Sequence, residues 1–197
     1  MKGCFVVIEG LDGAGKTSQI NGVVEKLAEL GFDAVGTCEP TKTETGQLCR
    51  KYLKNENSDV RVDALLFAAD RIEHYNQEVM PLLQEGKIVI SDRYKMSSFV
   101  YQHSQGAPLK WIKEINKFAP EPDLTIYLDI SLETSINRIK ESEDEKEKFE
   151  NIASLKRIKE LYESFNNGFI RVDAERSKNL VTEEIVSLIK SKCYLKH

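Results

Sequence analysis

The chain has 197 residues, of which 41% are hydrophobic and 30% charged, and its 28 basic and 32 acidic side chains give a formal net charge of −4. These values are typical of one soluble globular domain spanning 1–197, and they exclude collagen-like, low-complexity and disulfide-scaffold proteins. The mild acidity argues against a nucleic-acid partner, which requires a basic face, but it leaves a small anionic ligand open.

The apolar segments and the cysteines bear on where the protein works. No apolar run approaches the roughly 18 residues that cross a membrane, and the apolar stretch near the first residue is too short for a signal peptide. We therefore expect a cytoplasmic protein with no membrane partner. The cysteines have no Cys-x-x-Cys spacing, so we expect four free thiols in a reducing compartment. They are Cys4, Cys38, Cys49 and Cys193.

Short apolar runs alternate with helical patterns along the chain, which predicts an α/β fold. The predicted strands cover 5–8, 33–38, 88–90, 124–128 and 169–172, and the predicted helices include 20–30, 62–85, 109–118, 132–140, 151–165 and 180–191. Pro81 is expected to kink the long helix 62–85, and Gly86 is expected to end it. Because the strands are almost entirely apolar, they indicate a five-stranded parallel sheet with helices on both faces, which is a three-layer fold.

The segment 140–148 contains no apolar residue and therefore cannot pack in a core. It is explained equally by a solvated loop or helix face and by a mobile lid over a ligand. We expect a lid over residues 140–150.

A phosphate-binding loop follows the first predicted strand. Residues 10–17 match G-x-x-x-x-G-K-[ST] in full, between a buried strand and a helix as this motif requires. The backbone N–H groups of such a loop and the start of the next helix bind phosphates, the lysine reaches the β- and γ-phosphates, and the threonine binds Mg²⁺. The motif predicts a P-loop NTPase-type fold that binds a nucleoside triphosphate with magnesium. The predicted ATP-binding residues are Gly10, Leu11, Asp12, Gly13, Ala14, Gly15, Lys16 and Thr17.

Residues suited to a second substrate follow the third strand and lie on the long helix. Asp92 and Arg93 come at the carboxyl end of strand 88–90, where open parallel sheets bind ligands. Asp92 is suited to hold Mg²⁺ through water, and Arg93 to make a forked contact with phosphate. Phe67 and Arg71 are four residues apart on one helix face, where an aromatic plane beside a guanidinium can hold a flat ring with polar edges.

Several separated motifs follow one another from Phe5 to about Asp173. They read Glu39-Pro40, Thr43-Glu44-Thr45-Gly46, Leu66-Phe67-Ala68-Ala69-Asp70-Arg71, Asp92-Arg93-Tyr94, Ser97-Ser98, Tyr101-Gln102, Pro122-Asp123-Leu124 with Asp129, and Val172-Asp173-Ala174. In this order the motifs resemble those of the thymidylate kinase family of nucleoside monophosphate kinases. The resemblance covers nearly the whole chain.

The resemblance implies a role for individual positions. The implied catalytic residues are Lys16, Asp12, Arg93, Lys148 and Arg138, the last two covering the donor phosphates from the lid side. The implied dTMP-binding residues are Asp12 at the sugar 3′-hydroxyl, Arg50 and Arg93 at the phosphate, Phe67, Arg71, Ser98 and Gln102 at the base, and Tyr101 under the deoxyribose. The implied metal site is Thr17 with Asp92. The sequence departs from the family pattern at Cys38 and Gly13, where related chains carry arginine, and at Lys148, where the lid pattern begins with arginine.

These features together predict a kinase that transfers the γ-phosphoryl group of ATP to dTMP with Mg²⁺. Two alternatives stay open: a kinase for another nucleoside monophosphate such as dUMP, and a nucleotide-binding switch or scaffold without kinase activity. A GTPase-type switch is disfavoured, because 116–119 fails the guanine pattern Asn-Lys-x-Asp at its last position. We expect ATP and dTMP as partners, and a homodimer with helix 62–85 as the candidate contact.

Overall fold

The fold is built on a sheet in which every strand runs parallel to its neighbours. The computed structural model describes residues 3–55, 57–141, 152–165 and 168–193. Within them the strands are β1 (Cys4–Gly10), β2 (Ala34–Cys38), β3 (Ile88–Asp92), β4 (Leu124–Asp129) and β5 (Ile170–Asp173), in the spatial order β2-β3-β1-β4-β5. The predicted α/β fold with a five-stranded parallel sheet is confirmed.

Helices fill the connections and cover both faces of the sheet. They are α1 (Lys16–Glu29), α2 (Glu44–Leu53), α3 (Val60–His74), α4 (Met80–Gln84), α5 (Lys95–Ser104), α6 (Leu109–Ile115), α7 (Leu132–Glu141), α8 (Ile152–Ser164) and α9 (Lys178–Cys193). On one face α1 and α9 pack together, with Val23 and Ile185 buried in the main core. On the other face Phe5 and Val7 of β1 pack with Val79 and Tyr94.

Strand β1 lies at the centre of the sheet, between β3 and β4. Ile8 is in register with Asp92 of β3, and Gly10 is in register with Leu128 of β4. The strand order reverses at this point, and ligands of open α/β sheets bind in the crevice beyond the strand ends at such a reversal. The phosphate loop after β1 and the polar residues after β3 therefore meet at one crevice.

The long helix differs from its predicted form around Pro81. Helix α3 begins at Val60, and a π-helical turn (Tyr75–Val79) then joins it to α4. Pro81 follows this turn in α4, and it has no N–H group to donate to the turn before it. The wider turn before it lets the chain continue past a residue whose ring would collide with a regular helix. The expected kink is thus a π-helical turn, and the segment ends before Gly86 as expected.

The expectation of four free thiols is wrong for two of them. Cys4 at the start of β1 and Cys193 at the end of α9 form a disulfide, with Cα atoms 5.9 Å apart. Spacing along the chain could not show this pairing, because 189 positions separate the two residues and the packing of α9 against β4 and β5 brings them together. Cys38 and Cys49 are free.

The predicted lid lies mostly outside the described residues. Helix α7 contains its first two positions, Lys140 and Glu141, whereas 142–151 are not described. Among the residues that are described, no helix is long and apolar enough to cross a bilayer.

Candidate active site

The phosphate loop adopts a conformation that requires glycine. Gly13 and Gly15 have φ values of 77° and 83°, a left-handed region that residues with a Cβ atom rarely adopt. A Cβ atom on Gly13 would also lie 2.8 Å from the carbonyl oxygen of Ser135. The loop therefore curls tightly against α7 and leads into the start of α1, where the end of a helix favours an anion.

Helix α7 is joined directly to this loop. The Ser135 hydroxyl donates to the carbonyl oxygen of Asp12 at 2.7 Å, and a guanidinium nitrogen of Arg138 donates to the carbonyl oxygen of Gly13 at 3.3 Å. Arg138 thus lies beside the phosphate loop, and its contact with the donor phosphates stays a prediction. Ser135 was not predicted, because its function depends on a backbone contact that a sequence motif does not encode.

Lys16 lies over the loop with its ammonium group buried. Nζ donates to the carbonyl oxygens of Leu11 at 2.9 Å and Gly10 at 3.3 Å. Burial and the nearby positive charge of Arg93 lower the pKa of Lys16 to about 8, although carboxylates such as that of Asp12 oppose the shift. The ammonium therefore keeps most of its charge at neutral pH, and a phosphate beside it would favour the charged form further.

The Thr17 and Asp92 side chains meet at the start of α1. The Thr17 hydroxyl donates to Asp92 Oδ2 at 2.7 Å, whereas the buried Asp92 Oδ1 has no hydrogen-bond partner among the residues that the structure describes. A buried carboxylate oxygen without a partner is costly unless it meets a cation or water, so this pair fits a magnesium site. No group of three or more His, Cys, Asp or Glu side chains suited to a metal occurs in the described ranges.

Arg93 reaches into the crevice from the end of β3. Its φ of 70° is the only positive value among the described non-glycine residues. Its guanidinium donates to Asp12, to Ser97 Oγ at 3.0 Å and to the Tyr101 hydroxyl at 3.1 Å, and it lies over the Tyr101 ring. A strained backbone held by several contacts is typical of a functional position. The structure thus places three of the predicted residues in direct contact.

Asp12 and Tyr101 complete this contact group. The Tyr101 hydroxyl donates to Asp12 Oδ2 at 3.2 Å. Partial burial raises the pKa of the Asp12 carboxyl, but the charges of Arg93 and Lys16 outweigh that effect and lower its pKa. Asp12 is therefore ionised at neutral pH and half exposed. It is the contact of Arg93 that an incoming anion can displace most easily.

Arg71 is held very differently, in a buried polar network. Its side chain is 1% exposed and forms a salt bridge with Glu39 at 2.8 Å. Its remaining N–H groups donate to Ser98 Oγ at 3.1 Å, to Asn116 Oδ1 and to the carbonyl oxygen of Tyr94. All five N–H groups of the guanidinium therefore have partners within the protein. The contact of Arg71 with a base oxygen stays a prediction, and it requires one of these bonds to be exchanged.

The residues expected at the base edge lie close to this network. Ser98 and Gln102 are one turn apart on α5, and both are buried. Within the described part of the chain the side-chain oxygen of Gln102 has no hydrogen-bond partner, so it can accept a bond from a ligand N–H. Phe67 lies one turn before Arg71 on α3 and is half buried, which leaves part of its ring available.

Arg50 contacts the loop after β2 rather than the centre of the crevice. It donates to the carbonyl oxygens of Pro40 and Thr41, next to the cis peptide bond between Glu39 and Pro40. Asp70 holds the same loop from the other side by accepting from the backbone N–H of Thr41 at 2.9 Å. The predicted phosphate contact of Arg50 stays a prediction, and Lys148 lies outside the described residues.

Glu9 is a buried residue of the site that the motifs did not identify. Burial raises the pKa of its carboxyl, and Arg93 and several hydrogen bonds oppose the shift. Its neighbours are residues at the start of α5 and Tyr162 of α8. One signal was available in the sequence, since Glu9 is the only charged residue in the apolar strand before the phosphate loop.

Comparison with known proteins agrees with this geometry. The thymidylate kinase family matches residues 8–185. A probable thymidylate kinase of Pyrococcus abyssi is 44% identical over 201 aligned positions, which cover 96% of this chain and 97% of that protein. Probable thymidylate kinases of Pyrobaculum calidifontis and Staphylothermus marinus are 41% and 42% identical, and each alignment covers at least 94% of both chains.

Proposed function

The chain belongs to the thymidylate kinase family, whose members phosphorylate dTMP, and from that premise we propose which residues hold each substrate. ATP binds at the phosphate loop with Mg²⁺, and dTMP binds between α3 and α5 with its phosphate at Arg93. The observation that carries the assignment is the position of Arg93. It extends from the end of β3 into the crevice beside the phosphate loop, and its ion pair with Asp12 is partly exposed.

On the donor side, Lys16 and the loop N–H groups bind the β- and γ-phosphates. Thr17 and Asp92 would hold Mg²⁺, which supplies charge neutralisation on the phosphate oxygens. Arg138 is positioned to approach the donor phosphates from α7, because it already contacts the loop at Gly13. These groups are fixed before the reaction, which is how electrostatic stabilisation lowers a barrier without reorganisation.

On the acceptor side, Arg93 exchanges Asp12 for the phosphate of dTMP, and Asp12 is then free to accept from the sugar 3′-hydroxyl. The acceptor phosphate is already an oxyanion, so the transfer needs positioning and charge neutralisation rather than a strong base. Gln102 accepts from the base N–H, Phe67 stacks on the ring, and Tyr101 packs under the sugar.

Kinetics of an Arg93→Ala variant test the acceptor assignment. Losing a charged contact to phosphate should raise KM for dTMP about 10- to 100-fold and leave KM for ATP within about twofold. Arg61→Ala is the matched control, because Arg61 is exposed and pairs only with Asp59 among its described contacts. Equal weakening of ATP and dTMP would contradict the assignment.

A panel of nucleoside monophosphates with ATP and Mg²⁺ tests the substrate. The thymine methyl group contributes about 0.8 kcal/mol when buried, so discrimination against dUMP should be only about fourfold in kcat/KM if that contact alone decides. ADP release that depends on dTMP separates a kinase from a nucleotide-binding scaffold. ADP release at the same rate with and without dTMP would contradict the kinase.

We also propose that the enzyme is a cytoplasmic homodimer that pairs through α2 and α3. These helices pack on each other and expose Leu48, Leu53, Val62 and Leu65 by 39–51%. Apolar side chains grouped this way are typical of a protein contact. Light scattering after chromatography should show a dimer that Leu65→Lys converts to monomer. Phe118 is an exposed aromatic residue between α6 and β4, outside the proposed contact, so Phe118→Lys should leave the dimer intact.

A further inference from the structure

Glu9 is a fully buried carboxylate that touches none of the groups assigned to a substrate. It lies on β1 with 0% exposure, on the face of the sheet that α5 and α8 cover. A buried charge is costly unless it is paired and fully hydrogen-bonded, so its contacts explain why the fold tolerates it.

Each oxygen of the Glu9 carboxylate accepts two hydrogen bonds. Oε1 accepts from the backbone N–H of Tyr94 at 3.0 Å and of Ser97 at 3.1 Å. Oε2 accepts from the Ser97 hydroxyl at 2.6 Å and the Tyr162 hydroxyl at 3.0 Å. Tyr94 precedes α5 without a capping side-chain bond of its own, so Glu9 satisfies N–H groups at the start of α5 from a distant strand.

Ser97 connects Glu9 to Arg93. Its hydroxyl donates to Glu9 Oε2 and accepts from the Arg93 guanidinium at 3.0 Å. A hydroxyl has one proton to donate, so donation to the carboxylate turns its lone pairs toward the guanidinium. The charge of Glu9 thereby orients the Ser97 hydroxyl as the acceptor of a bond that the Arg93 guanidinium donates.

We propose that Glu9 is a positioning residue of the acceptor site, which holds Ser97 and the start of α5 so that the Arg93 guanidinium points at the acceptor phosphate. The inference rests on the proposed contact between Arg93 and that phosphate. It also explains the backbone of Arg93, whose left-handed φ is fixed between its N–H bond to Ile8 and the anchored turn at 94–97.

The test compares Glu9→Gln, Ser97→Ala and the double variant in steady-state kinetics. Each single variant should raise KM for dTMP about 10- to 100-fold, because a misplaced contact group loses that much, and should leave KM for ATP within about twofold. The KM for dTMP of the double variant should be no higher than that of Glu9→Gln alone. Both changes break the same connection from Glu9 through Ser97 to Arg93, which we call the relay. Ser97→Thr keeps the hydroxyl and should restore KM for dTMP.

Tyr162→Phe is the matched control. It removes one hydrogen bond to Glu9 Oε2 and a 3.4 Å contact with Ser97, but it leaves the bond between Ser97 and Arg93. It should keep KM for dTMP within about threefold. If Glu9→Gln does not fold, the KM for dTMP of Ser97→Ala, compared with that of Ser97→Thr, still tests the proposal.

The outcomes separate this inference from the assignment of Arg93. A rise in KM for dTMP in Arg93→Ala, with none in Ser97→Ala and Glu9→Gln, would overturn the relay and keep the acceptor contact. Multiplying effects in the double variant, or equal losses for ATP and dTMP, would show a merely structural role for Glu9. No change in Arg93→Ala would overturn both.

Discussion

The donor and acceptor sides of the crevice hold their cationic side chains in different ways. Lys16 and Arg138 donate to carbonyl oxygens of the phosphate loop, which are neutral partners. Arg93 and Arg71 instead pair with the carboxylates of Asp12 and Glu39. A phosphate can recruit the donor cations at the cost of neutral hydrogen bonds, whereas on the acceptor side it must replace a carboxylate.

The two acceptor arginines also differ from each other. The Arg71 side chain is 1% exposed with every N–H in use, whereas that of Arg93 is 18% exposed and one of its partners, Asp12, is half exposed. Exchange of a partner for a substrate group is therefore less costly at Arg93 than at Arg71. Arg71 is thus held as part of the fold, and the looser pairing of Arg93 supports the proposal that Arg93 is the group that responds to substrate.

Removing Arg71 should produce the largest effect and should act on stability. Arg71→Ala leaves Glu39 buried without its cation, which should lower the free energy of unfolding by about 3–5 kcal/mol. Urea denaturation followed by circular dichroism measures it. Arg61→Ala, at an exposed pair, should leave the transition unchanged. A similar loss in Arg93→Ala would remove the distinction between the two arginines.

Removing Lys16 should act on turnover and not on stability. Lys16→Ala deletes a fixed charge on the donor phosphates, so kcat should fall at least ~100-fold. The folded-state pKa of about 8 lies below the usual value, so protonated Lys16 disfavours folding below pH 8 and that cost is relieved as pH rises. Deleting the buried charge removes that cost and offsets the lost hydrogen bonds to Leu11 and Gly10, so the free energy of unfolding at pH 7 should fall by no more than about 1 kcal/mol. More than half of wild-type turnover in this variant would contradict the donor site.

Asp92→Asn should weaken magnesium binding. The amide keeps an acceptor for the Thr17 hydroxyl but loses the charge, so the Mg²⁺ concentration for half-maximal activity should rise about 10- to 100-fold. Titration of activity with Mg²⁺ at saturating nucleotides measures the shift. Asp129→Asn is a matched control at the end of β4, where the carboxylate pairs with Lys159 and Arg171, and it should leave the titration in place.

The smallest expected effect is the pH dependence of ATP affinity. It tests whether the group that titrates near pH 8 is Lys16 on the donor side. Lys16 loses its proton as pH rises through about 8, so the Kd for MgATP should rise up to about 10-fold between pH 7 and 9. Equilibrium binding at fixed Mg²⁺ measures it. Lys16→Ala should bind more weakly at pH 7 and show no such slope. The same slope in the variant would assign the titration to another group.

Much of this architecture could be predicted because its signals are local. The loop from Gly10 to Thr17 is contiguous and lies between a buried strand and a helix, so one motif predicted the fold type and where the loop lies in it. Asp92 and Arg93 could be placed because strand ends in a parallel sheet share one edge. Phe67 and Arg71 could be paired from helical spacing alone.

What could not be predicted depends on contacts between distant elements. Arg71 donates to Glu39 and Asn116, which lie 32 and 45 positions from it along the chain. Glu9 is linked to Tyr162 across 153 positions, and neither residue belongs to a recognisable motif. The π-helical turn before Pro81 was missed for another reason, since periodicity does not distinguish a kink from a wider turn.

The bond between Cys4 and Cys193 makes the chain a covalent ring from its first strand to its last helix. A protease that cuts once anywhere between these residues would produce two peptides that stay joined and migrate as one species until a reductant is added. The ring also limits how far the unfolded chain can expand, which stabilises the native state by about 5 kcal/mol in the chain-entropy account. A chain that is cut once would thus remain one molecule, because the disulfide still joins β1, at the centre of the sheet, to α9.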